Sequence, residues 1–266
     1  MVKAIEIDDV GVRFTGAGGA TVQALDGVSG TVPAGGFVSI VGPSGCGKST
    51  LLDVVAGLRR PTTGRALVGD RVVTAPSRDV GVVFQEDSTL PWKTVAGNVA
   101  FALKAAGWPK AQRAARIAEM VRLVGLQGFE DAYPATLSGG MRQRVAIART
   151  LALAPSVLLM DEPFGALDPQ TRLMVGTEVR RLWQATGTTV LFVTHDINEA
   201  LLLSEQVWVM AFRPGRVIDV IDVDLDDRRD AAIASTPAFA ALAARVWERL
   251  RAESVRGFLA STAGPA

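Results

Sequence analysis

Cysteine is nearly absent from this 266-residue sequence: Cys46 stands alone, so no disulfide can form within the chain. Neither sign of charge prevails. Lys and Arg number 28 against 27 Asp and Glu, and a formal net charge of +1 provides no broad basic field for gripping a phosphodiester backbone. Nucleic acid is therefore not expected as the main partner. Long apolar runs are missing too. The charge-free stretch most easily mistaken for a membrane span, Gly27 to Gly47, carries seven glycines and two prolines, so no segment is expected to cross a bilayer. The start, Met1 to Glu6, lacks the apolar run of a secretory signal, and a cytosolic location is expected. No internal repeat or low-complexity tract is visible, and histidine occurs once, at His195.

What is present is ample apolar material, 48% of the residues, enough for a sizeable core. A mean hydropathy of +0.26 fits either an Ala- and Val-rich interior or a subunit that buries surface against partners. Three short runs, Phe37 to Val41, Val157 to Met160 and Thr188 to Val193, are apolar without strict alternation. Such runs suit parallel strands covered on both faces, which implies an α/β core with helical crossovers. Ala4 to Phe14 and Thr21 to Val32 alternate instead, joined through Gly16-Ala17-Gly18-Gly19, and predict an antiparallel edge piece flanking that core. Ala-, Arg- and Leu-rich text from Asn98 to Leu126, broken at Gly107-Trp108-Pro109, predicts a helical subdomain inserted at about 88–152. The charged cluster Asp224 to Asp230 predicts a solvated linker that closes a main domain of 1–225. Thr236-Pro237 then supplies an N-cap and a first-turn proline for a terminal helix within 226–266. Its stripe Phe239, Leu242, Val246 and Leu250 is expected to dock on the core or on a neighbour.

The chemistry begins where the first buried strand ends. Gly42-Pro43-Ser44-Gly45-Cys46-Gly47-Lys48-Ser49, running into helical text from Thr50 onward, has the spacing of a phosphate loop in its required strand-to-helix context. Glycines let successive N–H groups face one point, the helix start adds positive potential, Lys48 contributes a full charge, and Ser49 would hold magnesium. Any small side chain would fit at Cys46. A second helix start, Leu137-Ser138-Gly139-Gly140-Met141, has an N-cap serine and two unhindered glycines, and so reads as another anion site. One nucleotide could use both only across a dimer. The strand Val157 to Met160 delivers Asp161 and Glu162 at its C-terminal end, where open α/β sheets bind ligands. Asp161 is expected to orient magnesium and Glu162 to polarise the attacking water. His195 follows the third buried strand, on the same rim, where it could sense the terminal phosphate.

With these motifs together, the sequence resembles the ATP-binding cassette family from Ile5 to Val223. The resemblance implies a P-loop NTPase core of RecA-like type, with an antiparallel β subdomain and an inserted α-helical subdomain. It makes Gly42 to Ser49 the Walker A loop, Leu137 to Met141 the signature, Val157 to Asp161 the Walker B strand with Glu162 as base, and His195 the switch histidine. It also implies roles for residues that spacing alone does not single out. Gln85 would touch magnesium and the attacking water, Asp168 in Ala166-Leu167-Asp168 would lie in a loop crossing the dimer interface, and Phe14 would stack on adenine. Phe14 replaces the family's more frequent tyrosine, and Met141 stands where glutamine is commonest. A phenylalanine ring still offers a face for stacking. Met141, the stretch Leu90 to Phe101 and the stretch Arg213 to Val217 resemble the nitrate, sulfonate and taurine importer ATPases.

The resemblance implies ATP and Mg2+ as cofactors and a head-to-tail partnership with a second copy. It further implies two transmembrane permease subunits, an indirect link to a substrate-binding protein, and a peripheral position on the cytoplasmic face of the membrane. An exporter motor and a cassette acting on nucleic acid are the alternatives. Exporter cassettes are usually fused to their membrane half; repair members carry a long coiled coil and translation members carry two cassettes. None of those features is visible in this sequence.

Overall fold

The structure is a computed structural model and describes residues 2–16, 19–86, 88–226, 229 and 231–262. Of the expected glycine-rich joint, Ala17 and Gly18 lie outside the described residues, as do Asp227, Arg228 and Asp230 of the expected linker.

Among the described residues, two sheets organise the chain. The larger has six strands: β3 (Phe37–Val41), β6 (Val80–Val83), β7 (Val157–Asp161), β8 (Thr189–Val193), β9 (Gln206–Met210) and β10 (Val217–Asp222). Their order is β10-β9-β3-β8-β7-β6, parallel throughout except at the β10 edge. Every residue of β3, β7 and β8 is buried, as apolar strands covered on both faces must be. Successive side chains point to opposite faces, so Leu158, Met160, Val190 and Phe192 meet one core while Val157, Leu159, Leu191 and Val193 meet another.

The first of those cores is completed by helices. α2 (Val95–Ala105), α3 (Lys110–Leu123) and α4 (Gly139–Leu151) all lie between β6 and β7 in the chain and contribute Val99, Leu103, Met120 and Ile147. α5 (Pro169–Thr186) adds Val175, Val179 and Trp183. The second core lies between α1 (Lys48–Val55) and the smaller sheet, formed by β1 (Ile5–Thr15), β2 (Thr21–Val32), β4 (Thr63–Val68) and β5 (Arg71–Val72) in the antiparallel order β2-β1-β4-β5. This sheet is the antiparallel piece expected to flank the core: β1 and β2, joined by β4 and β5, form a separate layer packed across the core sheet, whose own edge beside β9 is taken by β10.

A third core joins α6 (Ile197–Leu203) and α7 (Pro237–Thr262) to the outer strands. Thr236 caps α7, its Oγ1 accepting the Phe239 N–H at 3.3 Å, and Phe239, Val246 and Leu250 are buried against the chain's own core. The solvated-linker reading needs correction at Arg229. Its side chain is only 7% exposed and donates to Leu201 O and Val223 O, each at 2.9 Å, and to Ser204 O. The carbonyls left open at the C-terminus of α6 give this cation a buried place that local charge density does not reveal.

Candidate functional site

The parallel register brings the expected site residues together. Ile40 pairs with Val193 and Asp161 also pairs with Val193, so β3, β7 and β8 end on one rim. Val83 pairs with Met160, which adds the end of β6. Residues emerging past these ends are Gly42, Glu162, His195 and Gln85, at the edge where doubly wound sheets bind ligands.

A cavity of about 350 Å³ opens there, lined by Phe14, Ser44, Gly45, Gly47, Lys48, Ser49, Thr50, Gln85, Glu162 and Arg213, among others. Its floor is the loop Gly42 to Ser49. Gly47, with φ +103°, precedes α1 with no side-chain cap, and a Cβ there would come within 2.6 Å of Leu25. The first amides of α1 are thus left for an anion. Lys48 is buried and spans the loop, its Nζ donating to Gly42 O at 2.8 Å and Pro43 O at 3.2 Å. Cys46 is fully buried, and that burial raises its thiol pKa. Phe14, on β1, has the Arg59 guanidinium stacked at 4.6 Å from its ring centre, and the ring also lines the cavity.

Asp161 is buried, and desolvation lifts its carboxyl above the usual carboxylate value, while a hydrogen bond from the Ser49 hydroxyl pulls the other way. Its Oδ1 has no hydrogen-bond partner among the described residues. A buried, unsatisfied carboxylate oxygen beside a serine hydroxyl suits a hard divalent cation with oxygen ligands. Glu162 adopts φ +45°, rare for a residue with a side chain, and its N–H donates to Val193 O at 2.9 Å. The left-handed turn sends its carboxylate to the rim, where Oε2 lies 3.1 Å from His195 Nδ1 and 3.5 Å from Gln85 Nε2. Acid, imidazole and amide therefore converge on one point.

Ser138, Gly139, Gly140 and Asp168 are not among the residues lining this cavity. They sit beside one another elsewhere. Ser138 Oγ accepts the Met141 N–H at 3.2 Å and caps α4, and a Cβ on Gly140 would lie 3.1 Å from both Ala166 O and Leu167 Cδ2. Asp168 caps α5, accepting the Thr171 N–H at 3.0 Å, and hydrogen bonding from the Thr171 side chain first, then from its N–H, holds its carboxyl below the usual range. Two further residues take part in the site without a role that the sequence reading assigns. Gln143, buried on α4, donates to Phe84 O at 3.0 Å and so ties α4 to the backbone beside Gln85. Arg213 lines the cavity and donates from Nε to Gly45 O at 2.9 Å. No local pattern reveals either contact, because both join segments far apart in the chain.

A phosphate loop, a buried aspartate and a rim glutamate on a parallel sheet define a P-loop ATPase. Residues 25–165 match the family described as ABC transporter, and the chain belongs to that family. It is 50% identical to an ABC transporter ATP-binding protein of Methanocaldococcus jannaschii, over 80% of this chain and 79% of the relative. It is 48% identical to the taurine import ATP-binding protein TauB of Rhizobium johnstonii over 97% of each, and 45% identical to the nitrate import ATP-binding protein NrtD of Synechocystis over 83% of each. Among solved structures, the fold superposes with TM-score 0.76 and 32% identity on the ATP-binding cassette MJ0796, a dimer in a post-hydrolysis state bound to ADP and Pi; the match covers 84% of this chain and all of that one. The chain is accordingly an ATP-binding, ATP-hydrolysing cassette.

Proposed function

We propose that this cassette powers the import of a small solute of the taurine, sulfonate or nitrate class. Two copies would face each other head to tail, with separate membrane subunits carrying the cargo and a binding protein delivering it. The observation that carries the reading is the separation of two sets of residues. Lys48, Ser49, Glu162 and Gln85 line one cavity, whereas Ser138 to Gly140 lie outside it, packed beside the loop that ends at Asp168. A second chain's Ser138 to Gly140 would close the cavity over ATP. The names of the TauB and NrtD relatives support the direction of transport and the cargo class.

Within the closed site, the loop amides and Lys48 would bind the phosphates and Phe14 would stack on adenine. Ser49 and Asp161, with Gln85, would hold Mg2+, which screens the charge of the phosphates. Glu162 takes a proton from water as the water's oxygen attacks the terminal phosphoryl group, and ADP and phosphate leave. His195 Nδ1, 3.1 Å from the carboxylate, holds Glu162 in place. Trp92, 68% exposed, Phe101 and Tyr133 provide apolar surface on the helical layer for a membrane subunit, on the cytoplasmic side of the bilayer.

Glu162→Gln tests the mechanism. It keeps shape and polarity but cannot take the proton, so turnover falls at least ~100-fold while ATP binding persists and the ATP-bound protein runs as a dimer in size exclusion. Near-normal hydrolysis removes Glu162 from the base role. For the transport step, the ATPase of the purified complex with its membrane subunits should rise when solute-loaded binding protein is added. Stimulation by DNA or ribosomes in its place sinks the importer reading.

A further inference from the structure

The core sheet has five mutually parallel strands, β6, β7, β8, β3 and β9. Four lead into residues already given roles: Gln85 after β6, Asp161 and Glu162 at the end of β7, His195 after β8 and the phosphate loop after β3. The fifth, β9, ends at Met210 on the same rim, since Val41 pairs with Val209. From there the chain turns over the phosphate loop through residues 211–216, bringing Arg213 to the cavity wall.

That turn is hydrogen-bonded to the backbone of β2 and lies against the phosphate loop at Cys46. Gly215 N–H donates to Ala24 O at 2.8 Å, Asp26 N–H to Gly215 O at 3.1 Å, and a Cβ on Gly215 would lie 2.1 Å from Cys46 O. Arg213 Nε donates to Gly45 O at 2.9 Å. A peptide unit is planar, so fixing the Gly45 carbonyl fixes the whole Gly45–Cys46 unit. A carbonyl drawn toward the guanidinium cannot swing into the cavity, where its partial negative charge would oppose phosphate. The guanidinium itself adds fixed positive charge to the cavity wall.

The turn is held in its own right by the C-terminal helix. Glu253, on α7 and 5% exposed, accepts the Phe212 N–H at 2.9 Å, and Gly257 lies against the Phe212 ring, where a Cβ would come within 3.0 Å of Cδ2. One continuous path thus runs from α7 through Glu253, Phe212 and Arg213 to Gly45.

We propose that Arg213 is a positioning residue of the ATP site, fixing the Gly45 peptide so that the phosphate loop is shaped before ATP arrives, and that α7 holds Arg213 there through Glu253. The proposal rests on the assignment of this cavity to ATP.

The test combines steady-state ATPase kinetics with equilibrium ATP binding on the full chain. Losing a charged donor to one carbonyl corresponds to an increase in KM and Kd of ~5–10-fold for Arg213→Ala, with kcat within ~2-fold of wild type. Arg213→Lys, which keeps the charge but lacks Nε–H, should remain impaired. Glu253→Ala should raise KM by ~2–3-fold and add nothing to Arg213→Ala in the double variant, since the two residues act along one path. Glu253→Gln, with an amide oxygen still able to accept from Phe212, should behave as wild type. An unchanged KM in Arg213→Ala, full recovery with lysine, or additive effects in the double variant would overturn the proposal. Equal ATP binding by wild type and Lys48→Ala would instead defeat the assignment of the cavity itself.

Discussion

The phosphate loop and the turn at Ser138 to Gly140 both present amides at a helix start, but they are held in different ways. At the first, the helix has no side-chain cap, Gly47 sits in a left-handed conformation against Leu25, and Lys48 is buried beneath the loop. At the second, Ser138 satisfies its own helix by capping Met141, and a Cβ on Gly139 would meet nothing nearer than Arg142 Nη2 at 3.7 Å. The first is the floor of a cavity lined within one chain; the second lies outside it, at the surface. Damage to the first should therefore appear in the isolated monomer, and damage to the second only when two copies meet.

The largest effect expected on this contrast is that of Gly47→Ala. The added methyl meets Leu25 Cδ2 at 2.6 Å and Ala24 O at 3.0 Å, on a backbone of φ +103° that alanine rarely adopts. The loop must rearrange, and ATP affinity measured by calorimetry on dilute protein should fall more than ~10-fold, a loss of over ~1.4 kcal/mol. Gly139→Ala should do the reverse. With space for the methyl in the monomer, ATP affinity at low protein concentration stays at the wild-type value. Turnover at high concentration falls ~10-fold, because the methyl projects where a second chain's phosphates would lie. If Gly139→Ala weakened ATP binding in the monomer, the two-chain site would be wrong.

The contrast also explains which parts were legible in the sequence. The phosphate loop, the Asp161-Glu162 pair and the strands behind them are local features, written in consecutive residues whose spacing sets their geometry. The antiparallel β layer is legible through the alternation of β1 and β2, but alternation tells which face of a strand is wet and not which further strands join it, so β4 and β5 are not. β5, only two residues long, and the glycine-containing β6 carry too little pattern to stand out. Gln85 and Phe14 come to notice only by family resemblance, since each meets neighbours remote in the chain, and for Asp168 the local pattern marks a helix cap rather than an interface role. Arg229 looked like part of a solvated charge cluster because composition cannot show the open carbonyls at the end of α6.

Arg229 provides the next effect in size, now on stability rather than ligand binding. Arg229→Met keeps much of the stem's bulk but leaves the carbonyls of Leu201, Ser204 and Val223 without this donor in a buried setting. A loss of about 2–3 kcal/mol in urea unfolding is expected, with ATP affinity of the remaining folded protein unchanged. A change under about 0.5 kcal/mol would return Arg229 to the class of surface charges.

The smallest effect separates two explanations of Asp168, which stands in a loop expected to cross the dimer interface and also caps α5 of its own chain. The hydrogen bonding from Thr171 that lowers its folded pKa favours the ionised form, so this contribution is fully present above the ordinary carboxylate value of about 3.9 and is lost as pH falls through the lower, folded value. Asp168→Ala should thus lower the melting temperature of dilute, nucleotide-free protein slightly at pH 7, and the gap to wild type should narrow under acid. Asp168→Asn, whose side-chain oxygen can still cap, should lie between the two. If Asp168→Ala leaves the dilute protein's melting temperature unchanged at every pH but slows turnover of the concentrated protein, the carboxylate acts across the interface and the cap is incidental. A shift in both separates the roles by concentration: the cap belongs to the monomer, and the remainder belongs to the pair.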